Sequence, residues 1–146
     1  MGTHATIAYA EKTEKETKVS SIYVHWDGYI DYAGKILAKH YTAPERIQEL
    51  IALGDLSSIA ENIQPDSERP HTFDDPQKGV CVAYYRDRGE PWTQSKAHEQ
   101  IYTQELNIEK WSKNQEQYAY LFIDGTWYVN GVPLQQEIET KSKKEN

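Results

Sequence analysis

Apolar and polar positions alternate through Ser21-Ile22-Tyr23-Val24-His25-Trp26-Asp27. That is the period of a β-strand, so Ile22, Val24 and Trp26 are predicted to share one face of a sheet and Tyr23, His25 and Asp27 the other. The first set reads as core. The second puts an aromatic ring, an imidazole and a carboxylate in a row on the opposite side. Asp27-Gly28 supplies turn chemistry, because glycine reaches positive φ without steric cost and aspartate can bond to nearby backbone. A strand is therefore predicted over Val19 to Trp26, joined through the mixed-charge loop Glu11 to Lys18 to an earlier strand at Thr6 to Tyr9.

The pattern then changes to helical spacing. Ala33, Ile36, Leu37 and Tyr41 predict a helix capped by Asp31. Thr42-Ala43-Pro44-Glu45 reads as a capping box opening a second helix with Ile47, Leu50 and Ile51 as its buried stripe, and Gly54 stands where a left-handed end is expected. Asp55 is expected to cap a third, short helical turn through Ile59. Gln64 to Lys78, with Pro65, Pro70 and Pro76, is a long loop without periodicity, either a lid over the sheet or a surface excursion.

Val80 to Tyr85 reads as a central strand and Arg86 to Pro91 as a charged turn. Ser95 to Tyr102 is read as a helix, followed by a short one capped by Asn107 and containing Ile108 and Trp111. Gln117 to Ile123 and Thr126 to Val129 flank Asp124-Gly125, a strong hairpin signal. In that hairpin Tyr118, Tyr120 and Phe122 share one face and Ala119, Leu121 and Ile123 the other, so both faces are apolar and both call for a cover. Helices take one side. The long loop, a second copy of the chain, or a ligand resting on tyrosines are the candidates for the other. The expected architecture is a single α+β domain over 1–136, an antiparallel sheet of about four to five strands with helices packed on one face. A charged tail, 137–146, should fray or extend as a helix.

Composition sharpens this picture in three places. A mean hydropathy of −0.84 is low, but 11 Tyr and 4 Trp supply large buried area per residue, which predicts an aromatic core under a polar surface. The net charge of −7 disfavours duplex nucleic acid, whose binding depends on neutralised phosphates; it is compatible with binding a basic protein surface or mimicking DNA, and is also ordinary for a soluble bacterial domain. The single cysteine, Cys81, excludes an intramolecular disulfide, fits a reducing cytoplasm, and lies in an apolar run as a small buried residue. The opening Met1 to Thr6 carries no signal-peptide pattern, and no apolar run is long enough to span a membrane.

Chemical motifs are sparse. His25 and Asp27 sit two apart on one predicted face, but acid–base or metal chemistry needs a further converging group, and His40, His71 and His98 show no ligand spacing. There is no phosphate-cradling glycine loop, nucleophile elbow or metalloprotease helix, so neither a cofactor nor a metal is assigned and catalysis is not the leading expectation. The residues put forward for binding are Tyr23, His25, Trp26, Asp27, Tyr29 and Tyr120.

A wider set of residues carries a resemblance. Tyr23-Val24-His25-Trp26-Asp27-Gly28-Tyr29, then Gly34, Leu37, Tyr41 and Leu50-Ile51-Ala52-Leu53-Gly54-Asp55-Leu56-Ser57-Ser58 form its first half. Gly79-Val80, Ala83-Tyr84, Arg86-Asp87-Arg88-Gly89-Glu90, Tyr118 to Phe122, Asp124-Gly125 and Trp127 continue it. The chain resembles a family of small bacteriophage and prophage proteins. The resemblance implies a setting and no mechanism: an accessory protein acting by binding in the host cytoplasm, most simply an inhibitor of a host defence or regulatory protein. Nucleotide binding or turnover on the aromatic sheet face is the second expectation, and self-association in a structural role the third.

Overall fold

The computed structural model describes residues 3–145, with side chains as far as Thr140. Strands β1 (Ala5–Lys12) and β2 (Thr17–Val24) form the expected hairpin, paired from Ala5↔Val24 to Lys12↔Thr17. A π-helical turn, Ile30–Gly34, runs into α1 (Lys35–His40), and α2 (Pro44–Ile51) follows. After β3 (Leu56–Ser58) and the long loop come β4 (Val82–Ala83), α3 (Tyr84–Arg88), α4 (Trp92–Ser95) and β5 (His98–Tyr102). The chain closes with α5 (Ile108–Ser112), β6 (Tyr118–Ile123), β7 (Thr126–Val129), β8 (Val132–Pro133) and α6 (Leu134–Glu145).

The α+β class holds, but the antiparallel sheet of four to five strands does not. One sheet of eight strands runs β4-β3-β2-β1-β6-β7-β8, with β5 added beside β2. It is mixed, because β1 pairs β6 in parallel and β2 meets β3 in parallel at Val24↔Leu56. Strands β4 and β8 are two residues long and β3 three, too short for alternation to declare them. The direction of the β1–β6 pairing joins segments far apart in the chain and leaves no trace in either one.

Two cores explain why both faces of β6 are apolar. On one face Ile7, Ile22, Val24, Tyr120 and Phe122 pack beneath Leu37, Tyr41, Ile47, Leu50 and Leu134 of the helices and their connections. On the other, Ala8, Ala10, Val19, Leu121 and Ile123 are covered by Trp111 of α5, with Leu106 and Ile108 packed alongside. Helices therefore lie on both faces, and the second is closed by the chain's own α5, not by the long loop.

Several local readings need correction. Asp31 does not cap, since the helical segment starts one residue after Tyr29 as a π-helical turn and Asp31 falls in its first turn. The capping box does not form either: Ala43 holds the N-cap position ahead of Pro44, and no side chain caps there. Asp55 leads into strand β3 and spends its carboxylate on the backbone N–H of Tyr23, 2.9 Å away, because that N–H lies where no strand covers β2. Val80 to Tyr85 is a strand only at Val82–Ala83, beyond which α3 runs to Arg88 and ends at Gly89. Ser95 to Tyr102, read as a helix, splits into the end of α4 and β5, whose polar surface residues hide the strand period.

Other readings match. Asp124 and Gly125 both take positive φ, 51° and 78°, the left-handed pair that a tight hairpin needs. Asn107 Oδ1 accepts from Lys110 N at 3.0 Å, capping α5. Gly54 ends α2 at φ 80°. Leu134 is fully buried and Ile138 packs against the first core, so α6 crosses position 137, where the tail was expected to begin. Among the described residues no helix is long and apolar enough to cross a membrane.

Candidate functional site

The site begins where β2 leaves the sheet. Tyr23 and His25 do share a face, with Tyr23 Oη 2.8 Å from His25 Nδ1. The antiparallel register that sets Ala5 against Val24 brings His4 beside them. His4 Nδ1 lies 2.9 Å from both the His25 carbonyl oxygen and Tyr23 Oη. A carbonyl only accepts, so His4 Nδ1 carries a hydrogen and donates. Tyr23 O–H then donates onward to His25 Nδ1, which orders the three groups as a relay from His4 through Tyr23 to His25. Burial raises the Tyr23 pKa, with the Glu116 carboxylate adding to the effect, so the phenol stays protonated as that donor at neutral pH.

Trp26 departs from expectation. It was assigned to the core with Ile22 and Val24, yet it is 44% exposed. The reason is in the backbone: His25 N and Trp26 N donate in succession to Leu56 O and Ser57 O, at 3.1 and 2.9 Å. Two consecutive N–H groups facing one neighbour break the strand alternation, so the side chain that parity would bury swings outward. Its indole stands edge-on to His25, with ring centroids 4.7 Å apart.

The turn after it is built by close approach. Asp27, not Gly28, takes positive φ, 56°. Gly28 donates to Thr3 O at 2.7 Å, and a Cβ there would stand 2.6 Å from Ala5 Cβ, so only glycine fits beside the first strand. Tyr120 lies beneath the turn, fully buried, and its hydroxyl donates to Gly28 O at 2.7 Å. Among the described residues Asp27 makes no hydrogen bond to His25. Tyr29 is exposed and tilted against Tyr32, with centroids 6.5 Å apart.

The structure thus brings Tyr23, His25 and Trp26 together, keeps Tyr29 on the same exposed loop, leaves Asp27 without a hydrogen bond to them among the described residues and places Tyr120 behind the site as a support. Sequence reasoning missed His4, which carries no spacing signal, and Asp55, which was assigned to a helix cap. Among the described residues no three His, Cys, Asp or Glu side chains stand close enough to hold a metal ion. What the cluster offers is exposed aromatic surface beside polarised hydrogen-bonding rings.

A second titratable cluster has a different task. His71 Nε2 lies 3.2 Å from Asp87 Oδ2, with both side chains 3% exposed. Gln77 N donates to His71 Nδ1 at 3.0 Å, which leaves Nε2 to donate to the carboxylate. Arg86 grips Asp87 through Nε and Nη2, at 2.8 and 3.0 Å, and Ala83 N adds a bond of 2.8 Å. Burial works to raise the Asp87 pKa, but the Arg86 and Ala83 hydrogen bonds and the nearby cationic groups bring it below the usual carboxylate value. A histidine–aspartate pair invites comparison with a catalytic dyad, but the Cys81 thiol is buried against Tyr41 and Ala60, and burial raises its pKa. The pair instead straps down the loop at 64–78. Gln77 Nε2 donates within that loop to Asp66 O and Arg69 O, and Phe73 N donates to Asp87 O.

A cleft of about 330 Å³ lies across the sheet from this face, between β1, β2, α2 and α4, walled by Tyr9, Lys18, Gln48, Trp92, Lys96 and Glu99. On the far side of Trp92 stands Tyr85, the two rings 4.9 Å apart. Set beside protein-family models, curated proteins and solved structures, the chain matches none of them.

Proposed function

We propose that this protein acts by binding a host protein, as a small inhibitor of a defence or regulatory protein in the phage or prophage setting its sequence resembles. The observation that supports this most directly is the pair Trp26 and Tyr29, 44% and 38% exposed on one loop beside the His4–Tyr23–His25 relay. Tryptophan and tyrosine are the side chains that most often anchor protein interfaces, because they bury large area while their polar atoms still find partners. The loop is held from behind by Tyr120 and Gly28, so little ordering would be needed on binding. The net charge of −7 favours a partner with a basic surface.

The test compares wild type with Trp26→Ala/Tyr29→Ala in affinity purification from host lysate, then with purified partner by calorimetry. Both side chains are exposed, so the double variant should keep its melting temperature. A stoichiometric host protein retained by wild type and weakened roughly a hundredfold by the variant supports the reading. Equal capture by both, or capture by neither, refutes it.

One observation favours a second reading, a small-ligand site. The cleft has a volume in the range of ligand pockets and two aromatic walls in Tyr9 and Trp92, with the Lys18 and Lys96 ammonium groups balanced by the Glu11 and Glu99 carboxylates. This is not the sheet face at His25 and Asp27, and its aromatic walls suit a planar ring such as a nucleotide base. A rise in melting temperature with a nucleotide panel, lost in Trp92→Ala, supports it; no rise at millimolar concentration removes it.

A further inference from the structure

The sheet has three outer edges, and they are treated differently. Strand β8 is two residues long and ends on Pro133. Strand β4 is also two residues long, and its surroundings are occupied by α3, whose Asp87 carboxylate takes Ala83 N and whose Arg86 takes Cys81 O. Short strands, proline and side-chain cover are the usual devices that keep an edge from pairing. Strand β5 has none of them. It is five residues long, every residue but Tyr102 is exposed, and Ile101 presents an aliphatic side chain 56% exposed.

The phase of its hydrogen bonding follows from β2. Tyr23 N donates to Asp55 on the outer side of β2, and His25 N donates to β3 on that same side. Odd-numbered residues of β2 therefore point toward β5, and their partners His98, Gln100 and Tyr102 complete that ladder. The N–H and C=O groups of Glu99 and Ile101 face the opposite way, and among the described residues no backbone group bonds to them.

We propose that β5 is the interface of a two-fold homodimer, pairing antiparallel with β5 of a second copy about Gln100. This register pairs all five residues and sets Glu99 opposite Ile101 of the partner subunit twice over, forming four backbone hydrogen bonds. It opposes no like charges, whereas a register centred on Glu99 would set two carboxylates face to face. Lys96 precedes the strand and Glu105 follows it, so the antiparallel arrangement brings opposite charges of the two copies together at each end. That self-complementarity selects a second copy as the occupant. The inference is independent of the Trp26–Tyr29 surface, which lies on a different loop, so either can fail without the other.

Gln100 would face itself across the dyad in a non-hydrogen-bonded pair, with Cα atoms about 4.5 Å apart, within disulfide reach. Cys81 is buried and stays out of the reaction. Three measurements on the full chain are needed: mass by sedimentation for wild type and for Ile101→Pro, and oxidative cross-linking of Gln100→Cys against Glu99→Cys. The proline removes an outward N–H, which the monomer does not use. The expected result is a concentration-dependent dimer in wild type, a monomer of unchanged fold in Ile101→Pro, and cross-linking at position 100 at least about tenfold faster than at 99. A strict monomer overturns the proposal. So does a dimer whose two cysteine variants cross-link at equal rates, since its interface would lie elsewhere.

Discussion

Replacing Asp87 with alanine should unfasten the 64–78 loop, and the size of the effect can be worked from its contacts. The carboxylate accepts two hydrogen bonds from Arg86, one from Ala83 N and one from His71, and its side chain is 3% exposed. Removing one member of a buried ion pair strands the other charge, which typically costs about 3–5 kcal/mol. Here the Arg86 side chain is 23% exposed and keeps the Ile63 and Cys81 carbonyls as acceptors, so the low end applies, about 3 kcal/mol. With a urea slope of about 1.5 kcal/mol/M the midpoint should fall by roughly 2 M. Lys113→Ala, which breaks an exposed pair with Glu109, should leave the midpoint in place.

The same carboxylate sets an acid dependence. Its folded pKa is lower than its unfolded one, so its contribution is fully present above the unfolded value near 4 and is lost as pH falls through the folded value. Wild type should therefore lose stability below about pH 4 more steeply than Asp87→Ala. Urea titrations from pH 7 to 3 with both proteins, together with limited proteolysis after Lys78, make the measurement. A midpoint shift under about 0.5 M at pH 7 would refute the reasoning, because the strap would then contribute no more than a surface ion pair.

Two further substitutions probe the support of the site. Gly28→Ala places a Cβ 2.6 Å from Ala5 Cβ and 2.8 Å from Thr3 O, so the first strand and the turn must separate; a loss of about 1–3 kcal/mol in chemical unfolding is expected, and a neutral result would show the approach to be looser. Trp127→Phe removes the indole N–H that donates to Tyr41 O at 2.8 Å inside the core and leaves that carbonyl unpaired, which should cost about 1–3 kcal/mol by the same assay.

Local chemistry alone determined the features whose causes lie within a few residues. The Asp124-Gly125 turn sets the β6–β7 hairpin through its two positive φ angles, Asn107 caps α5, and the alternation of Ile22 and Val24 against Tyr23 and His25 assigns their faces. The apolar setting of Cys81 likewise foretold its burial. Tertiary structure decided everything that depends on which segment lies beside which. The parallel β1–β6 pairing, the strand nature of β5, the arrival of His4 at Tyr23 and the capture of His71 by Asp87 each join residues far apart in the chain. A strand's alternation records that a face is buried, not its neighbour or its direction, because the backbone bonds that choose a partner are the same for every residue type. Trp26 shows where the local rule ends: two successive N–H groups turned toward β3 override the parity that its sequence position implied.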